Sequence, residues 1–414
     1  MGLPPRARVI AGLLPVLFVS LAFSITLSQA ILACLVALWV PDLLNPERRR
    51  RTAWPLGWPL AAYAAASLLA ALTSAQVGRS LFASKDLLLI ALFFLLVNVV
   101  RDADEADRLL VWLFVAMTGA ALLGLFQMAT CAFELKPEGG WGPLSRWLER
   151  PCHRWSFPRA SGPYSIYMTF GGALMVTLLL LIPRLGHSGR EGRWLLPSGI
   201  AMAAALALTY ARNAWLGLGA GVLVLLFFLR RLWVLLFLAL FAGLLLLGPA
   251  QLTVRARSIL DPHDPTAIQR FYLWESGLQI VRDYPVTGIG PGMLSRTLPR
   301  YAHSESRYPR AGHVHNSPLQ VAVERGLLGL GAWLWIWIAF ARRGLRLWGS
   351  LPPGAMRERG LTAGAVAATA GFLAAGLFEY NFGDSEVLML IYLTMALPFI
   401  AGRPASQGGD DAHR

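Results

Sequence analysis

Long apolar blocks joined by short polar links dominate the chain. LLLIALFFLLVNVV at 87–100 is one such block, and VWLFVAMTGAALLGLFQMAT at 111–130 is another. Apolar runs approaching about 20 residues read as bilayer-spanning helices, since a helix satisfies its own backbone inside hydrocarbon. Hydropathy predicts twelve spans, near 9–24, 28–44, 56–73, 86–100, 109–129, 163–183, 194–209, 213–229, 232–249, 318–340, 361–378 and 386–400. Arg6 and Arg8 precede the first of them, as in a signal peptide. The run continues into SQAILACLVALWVPDLL with almost no link, so the first span is expected to be retained. The expected fold class is an all-α integral membrane protein.

Composition agrees. Of 414 residues, 56% are hydrophobic and 14% charged, where soluble domains carry about 25% charged residues. Arginine placement sets orientation. ERRRR (47–51), PRLGHSGREGR (183–193), the RR pair (230–231) and the 342–359 link alternate on one side, which is expected to be cytoplasmic together with both termini. RDADEADR (101–108) falls on the same side. The expected organisation is five spans in 1–129, a first periplasmic loop at 130–162, four spans in 163–249, a large periplasmic loop at 250–317, three spans in 318–402 and a cytoplasmic polar tail at 403–414.

The two long loops break the positive-inside pattern, although long loops translocate largely regardless of charge. The first holds Arg146, Arg150, Arg154 and Arg159. The second holds Arg255, Arg257, Arg270, Arg282, Arg296, Arg300, Arg307 and Arg310. The net charge of +14 fits either attraction to membrane lipid head groups or an anionic ligand on the outer side. Nucleic acid is excluded as a partner, because the basic residues are split across two membrane faces. Only two of the 37 basic residues are lysines, Lys85 and Lys136. Arginine suits bidentate phosphate recognition, and a GC-rich genome would favour it too. Of the three cysteines, Cys34 reads as packing. Cys131 and Cys152 share the first outer loop and are expected to pair in an oxidising compartment. No CxxC or HExxH spacing occurs, and no metal is expected.

Candidate chemistry concentrates in AGHVHNSPLQVAVERGLLGLGAW at 311–333. Ser317 reads as an N-cap and Pro318 as the first helical residue. His315 and Asn316 then stand at a helix start, where partial positive charge favours anions and a neutral, proton-accepting imidazole. His313, two residues earlier, is a second candidate. Glu324 lies nine residues beyond His315, roughly 13 Å into a hydrocarbon core about 30 Å thick. A carboxylate there is costly and is expected to be paired or functional. Arg325 is adjacent but projects from another helix face, so each is expected to find a partner on another span or in a wet cavity. Upstream, 264–285 reads as an amphipathic helix capped by Asp264, with Phe271, Trp274, Leu278 and Val281 forming a lipid-facing stripe flanked by Arg270 and Arg282. GIGPG (288–292) follows no strand and reads as a tight turn.

The 311–333 stretch resembles the signature of the O-antigen ligase family, which shares a superfamily with O-antigen polymerases and O-linked protein oligosaccharyltransferases. The family pattern is His, then Asn, Ser or Gln, nine residues, Gly, four residues, then Gly, Thr or Tyr. His315, Asn316, SPLQVAVER, Gly326, LLGL and Gly331 fit it. FPRASGPY (157–164), TYARNAWLGL (209–218) and RFYLWESGLQI…DYPVTGIGPG (270–292) are also similar to the family. The resemblance implies a GT-C-like glycosyltransferase of the bacterial inner membrane, without cofactor. Its donor would be a glycan on undecaprenyl diphosphate and its acceptor lipid A–core oligosaccharide. It also implies His315 as general base and Arg159, Arg212 and Arg270 as the diphosphate-binding cations, with Asn316 and Glu324 as secondary candidates. Arg212 sits in a link too short to be a solvated loop, so it faces either the diphosphate or a structural carboxylate. Glycan polymerisation and protein glycosylation stay open as alternatives within the superfamily. A lipid-linked glycan transporter is the alternative from another class. It fits less well, because polar residues gather in the outer loops rather than at the bilayer midplane.

Overall fold

A computed structural model describes residues 5–133, 148, 152, 157–186, 191–229, 232–259 and 261–403. Lys136, Arg146, Arg150, Arg154, the arginine pair at 230–231 and the tail beyond 403 lie outside the described residues. Among the described residues the chain is helical throughout, without strands. Each of the twelve expected segments falls on helix. They correspond to α1 (Pro5–Ser20), α2 (Ile25–Leu44), α4 (Gly57–Leu72), α6 (Ile90–Val99), α7 (Ala103–Phe133), α8 (Tyr167–Leu185), α9 (Leu195–Leu208), α10 (Arg212–Leu229), α11 (Leu232–Leu247), α15 (Ser317–Ser350), α16 (Met356–Gly376) and α17 (Ser385–Ala401). Shorter helices fill the links: α3 (Pro46–Arg51), α5 (Val77–Ala83), α12 (Ala250–Arg257), α13 (Pro265–Asp283) and α14 (Leu294–Thr297). Six helical stretches are long and apolar enough to cross a membrane, or seven if α11 and α12, bent by 105°, count as one span. Leu223, Phe227, Leu240 and Leu247 are exposed on the outside, a surface suited to lipid contact. The protein is a multi-pass membrane protein.

Small residues let the spans approach closely, as lipid-embedded helices require. A Cβ on Gly217 of α10 would stand 2.6 Å from the Gly371 carbonyl of α16. Ion pairs gather the short links at one end of the bundle. Arg184 pairs with Asp107 at 2.8 Å, Arg357 pairs with Asp104, and Arg403 donates to the Val100 carbonyl. The links around 160, 210, 264, 315 and 380 converge at the other end, through contacts described below.

The 311–333 helix departs from expectation in three ways. Asn316, not Ser317, is the N-cap: its Oδ1 accepts from the Leu319 amide at 2.8 Å. Asn316 is extended in the manner of a cap residue, whereas Ser317 is already helical. The Ser317 hydroxyl turns instead to the Glu379 carbonyl and the Asn381 side chain. The helix also breaks at Gly326, whose φ of 63° and ψ of −169° suit only glycine. GIGPG is therefore more than a turn. The 285–292 segment fills the break as a strap. Leu327 donates to the Pro285 carbonyl, Ile289 to Val323 and Gly290 to Glu324, at 2.7–3.0 Å. The carbonyls and amide freed by the break are thereby satisfied inside the bundle. Lastly, Glu324 and Arg325 pair with each other at 2.7 Å, in addition to the expected partners on another span and beside a cavity. Arg325 ends a helical segment just ahead of the break, and its long side chain folds back while its Nε reaches Ser67 of α4. Glu324 also accepts from Gln320 and from the Gly292 amide of the strap. The pair is a clamp joining α15, α4 and the strap, beside a cavity of about 190 Å³ that Tyr63, Asp86 and Tyr380 also line.

Candidate active site

His315 sits in the last link before α15 with φ of 52°, a left-handed backbone that strains a non-glycine residue. The surroundings enforce it. Asn316 donates to the Leu377 carbonyl and Ser317 to the Glu379 carbonyl, which lashes the start of α15 to the link between α16 and α17. Glu379 on that link is buried. Its two carboxylate oxygens lie 3.0 and 2.9 Å from His315 Nδ1. An imidazole whose Nδ1–H is held by a carboxylate presents Nε2 as the free, proton-accepting nitrogen. Burial pushes the Glu379 carboxyl up, but the His315 hydrogen bond and the charges of His315, His313 and Arg270 prevail, and its pKa lies below the usual carboxylate range.

Glu379 carried no weight in the sequence reading. It follows the 361–378 span by one residue, in the short FEYNFGD link, where an acid reads as ordinary interfacial polarity. The available signal was a carboxylate at the end of a span on the side of the candidate histidines.

His313 joins the same group. Its ring meets the His315 ring edge-on at 4.2 Å between centroids, and its Nδ1 is 3.6 Å from Glu379. One edge of the ring is exposed, yet Nδ1 is sealed and finds no hydrogen-bond partner. Burial lowers its pKa to about 4, against the raising pull of Glu379. The facing nitrogens of His313 and His315 and a Glu379 oxygen lie within 4.8 Å of one another, a spacing that could also hold a metal ion. Arg270 already supplies a cation there, with Nη2 3.8 Å from Glu379.

The arginines converge on the same end of the bundle. Arg270 projects from α13, whose inner face is Leu273, Ser276, Gly277 and Ile280. Of the expected lipid-facing stripe, Phe271 and Leu278 are exposed, while Trp274 is partly buried and donates from Nε1 to the Val314 carbonyl, steadying the histidine link. Burial lowers the Arg270 pKa. Arg159 is buried, with its guanidinium stacked between Phe157 and Tyr167 at 4.4 and 4.3 Å and its Nε unpartnered. Gln127 of α7 positions its loop, donating to the Gly162 carbonyl and accepting from the amides of Ser161 and Gly162. The Ala160 amide donates to the Leu208 carbonyl.

Arg212 begins α10, after a sharp turn at Tyr210 with φ of 55°. It meets a carboxylate: Nη2 donates to Asp264 Oδ1 at 3.0 Å and Nη1 to Ser258. Asp264 is also the N-cap of α13, accepting from the amides of Thr266 and Ala267. Burial pushes the Asp264 carboxyl up, but hydrogen bonds from Arg212 and Thr266 take it down to about 2. Arg212 and Arg270 share the wall of a cleft of about 260 Å³ with Leu216, Ile259, Phe271 and Trp274. Guanidiniums beside an apolar cleft suit an amphiphile with an anionic head.

At the same end, Cys131 and Cys152 form a disulfide with their Cα atoms 5.3 Å apart, which is the expected pairing.

No curated protein matches the chain. Residues 197–334 match the family model described as O-antigen ligase. The matched segment carries Arg212, Arg270, His313, His315, Asn316 and Glu324, whereas Arg159 and Glu379 lie outside it and reach the site through the fold. The similarity to the O-antigen ligase family thus runs from within α9 into α15.

Proposed function

We propose that the protein is an inner-membrane glycosyltransferase that moves a glycan from undecaprenyl diphosphate to lipid A–core oligosaccharide, acting on the periplasmic side with all twelve apolar segments across the bilayer. The observation that carries this reading is the His315–Glu379 pair beside a cluster of arginines, within a family of glycan ligases. The acceptor hydroxyl binds near His315 Nε2, which takes its proton. The acceptor oxygen attacks the anomeric carbon, and the bond from that carbon to the diphosphate oxygen breaks. The electron pair leaves with the lipid diphosphate, so negative charge grows where Arg159, Arg212 and Arg270 stand. Arg212 contributes while anchored to Asp264. A single displacement inverts the anomeric centre, and no covalent glycosyl-enzyme forms. Glu379 is the positioning residue: it fixes the imidazole orientation and stabilises the imidazolium.

Leaving-group stabilisation by arginines makes the reaction metal-independent, with His315 and Glu379 acting as a proton-handling pair and His313 packed beside them, none of the three serving as a ligand. The test is incubation of purified protein with undecaprenyl-diphosphate-linked glycan and lipid A–core, with and without a chelator. Joined product in detergent, unchanged by chelation, is expected. No transfer to lipid A–core, with transfer to a second lipid-linked glycan or to a protein instead, would reassign the acceptor. Loss of transfer on chelation would overturn metal independence.

A further inference from the structure

Charge balance at the arginine cluster singles out Arg255, a residue that neither the sequence motifs nor the mechanism above employs. Four guanidiniums gather here, from Arg159, Arg212, Arg255 and Arg270. Arg159, Arg255 and Arg270 each lie within electrostatic range of Arg212. Arg159, Arg255 and Arg270 all have Tyr167 as a common electrostatic neighbour. Two carboxylates face the cluster, and both are engaged: Asp264 by Arg212, and Glu379 by Arg270 and the histidines. Among the described residues, Arg159 and Arg255 have no carboxylate at ion-pair distance. They also share a second feature. The Nε of each is buried and has no hydrogen-bond partner.

Leaving a guanidinium N–H buried and unsatisfied is expensive. Two such groups, with two positive charges that no carboxylate offsets, suit an anion with two charged centres. Arg255 is held for that role. It lies on α12, which turns by 105° away from α11. Gln251 of the same helix accepts from the Tyr210 hydroxyl, and Ser258 just beyond it accepts from Arg212.

We propose that Arg255 is a further donor-binding residue which, with Arg159, joins Arg212 and Arg270 around the two phosphates of the lipid diphosphate, supplying the positive charge that Asp264 and Glu379 leave uncompensated. This rests on the glycosyltransferase reading above. The glycan-linked diphosphate of the donor carries one negative charge on each phosphate, which matches the two uncompensated arginines, and a lipid with two phosphates should be preferred over one with a single phosphate.

The test uses the full chain in lipid nanodiscs. Binding of undecaprenyl diphosphate, undecaprenyl monophosphate and undecaprenol is measured by intrinsic tryptophan fluorescence, with thermal stability followed in parallel. Wild type should prefer the diphosphate. Arg255→Gln should weaken diphosphate binding by roughly tenfold or more, the worth of a charge-assisted hydrogen bond, and should bring it close to monophosphate binding. Arg255→Lys should restore part of that preference, keeping the charge without the fork, and it serves if the glutamine variant does not fold. Arg300→Gln, an exposed charge loss in the same loop, should change nothing. Undiminished diphosphate preference in both Arg255 variants would overturn the assignment, and a loss in Arg159→Gln at the same time would leave the donor reading standing. A wild-type protein that binds undecaprenol as well as the diphosphate would overturn the donor reading itself.

Discussion

His315 is held by more than its place in a motif. Its left-handed backbone, the Asn316 cap and the Glu379 carboxylate all fix the same ring orientation, and that redundancy is how a strained residue persists. If the imidazole is the base, His315→Ala should lower turnover by about 10²–10⁴-fold while leaving donor affinity nearly intact. Glu379→Gln should lower turnover in the same direction, because glutamine cannot stabilise an imidazolium. The double variant should be little worse than His315→Ala alone, since the two act as one unit. Purified variants assayed for transfer rate and donor binding decide it, and additive losses would mean that Glu379 acts apart from His315. His313 makes a different prediction. His313→Ala should affect turnover mildly, and the principal effect of this residue should be on stability against pH. Its pKa falls from 6.5 to about 4 on folding, so between those values the unfolded chain binds more protons than the folded one. Stability should therefore fall as pH drops from about 6.5 to about 4. His313→Gln should flatten that slope in thermal unfolding between pH 4.5 and 7, and an identical slope in both proteins would remove His313 as its source.

The broken α15 explains a glycine that the family signature leaves bare. At Gly326 a Cβ would lie 2.1 Å from the Val286 carbonyl, and its backbone falls where only glycine is at ease. Gly326→Ala should cost about 1–3 kcal/mol from backbone strain, with the displaced strap adding to it. Thermal unfolding in detergent measures the loss, and Gly331→Ala is the comparison, since a Cβ there meets open space. Equal stability of the two variants would mean that the strap yields freely. The break was not legible in the sequence, because an apolar run with one glycine has the periodicity of a continuous helix. The strap pairing joins residues about 35 positions apart, which local pattern does not report. The Glu324–Arg325 clamp was hidden for the same reason: regular helix geometry separates neighbours, and the geometry here is irregular. By contrast, α13 was legible to within two residues at its end, from Asp264, Pro265 and an apolar spacing of three and four. His315, Arg159, Arg212 and Arg270 stood out as candidates through the family resemblance, and the fold gathers them at one end. Glu379 and Arg255 did not, since their meaning lies in what they face.

The molecule as a whole has two chemically different ends. At one, Arg184, Arg357 and Arg403 meet Asp107, Asp104 and the carbonyl of Val100. These are short arginine-bearing links, the kind that governs insertion. At the other end stand His315, Glu379, the four clustered arginines and the Cys131–Cys152 disulfide. Disulfides persist in oxidising compartments such as the bacterial periplasm, so the bridge and the arginine-rich links point to the same orientation from independent chemistry. The proposed function needs the same orientation, with the His315 end outside. Reporter fusions at Gly189, beside Arg184 in sequence, and at Ser304, in the 250–317 loop, should therefore report opposite compartments, with Ser304 periplasmic. The disulfide supplies a second reading of the same question. In intact cells, Cys131 and Cys152 should resist thiol labelling until a reductant is added, and then become labelled by a reagent that does not cross the inner membrane. The same compartment at Gly189 and Ser304 would overturn the twelve-span arrangement. Labelling of the reduced pair only after the membrane is permeabilised would turn the molecule over, with the His315 end in the cytoplasm.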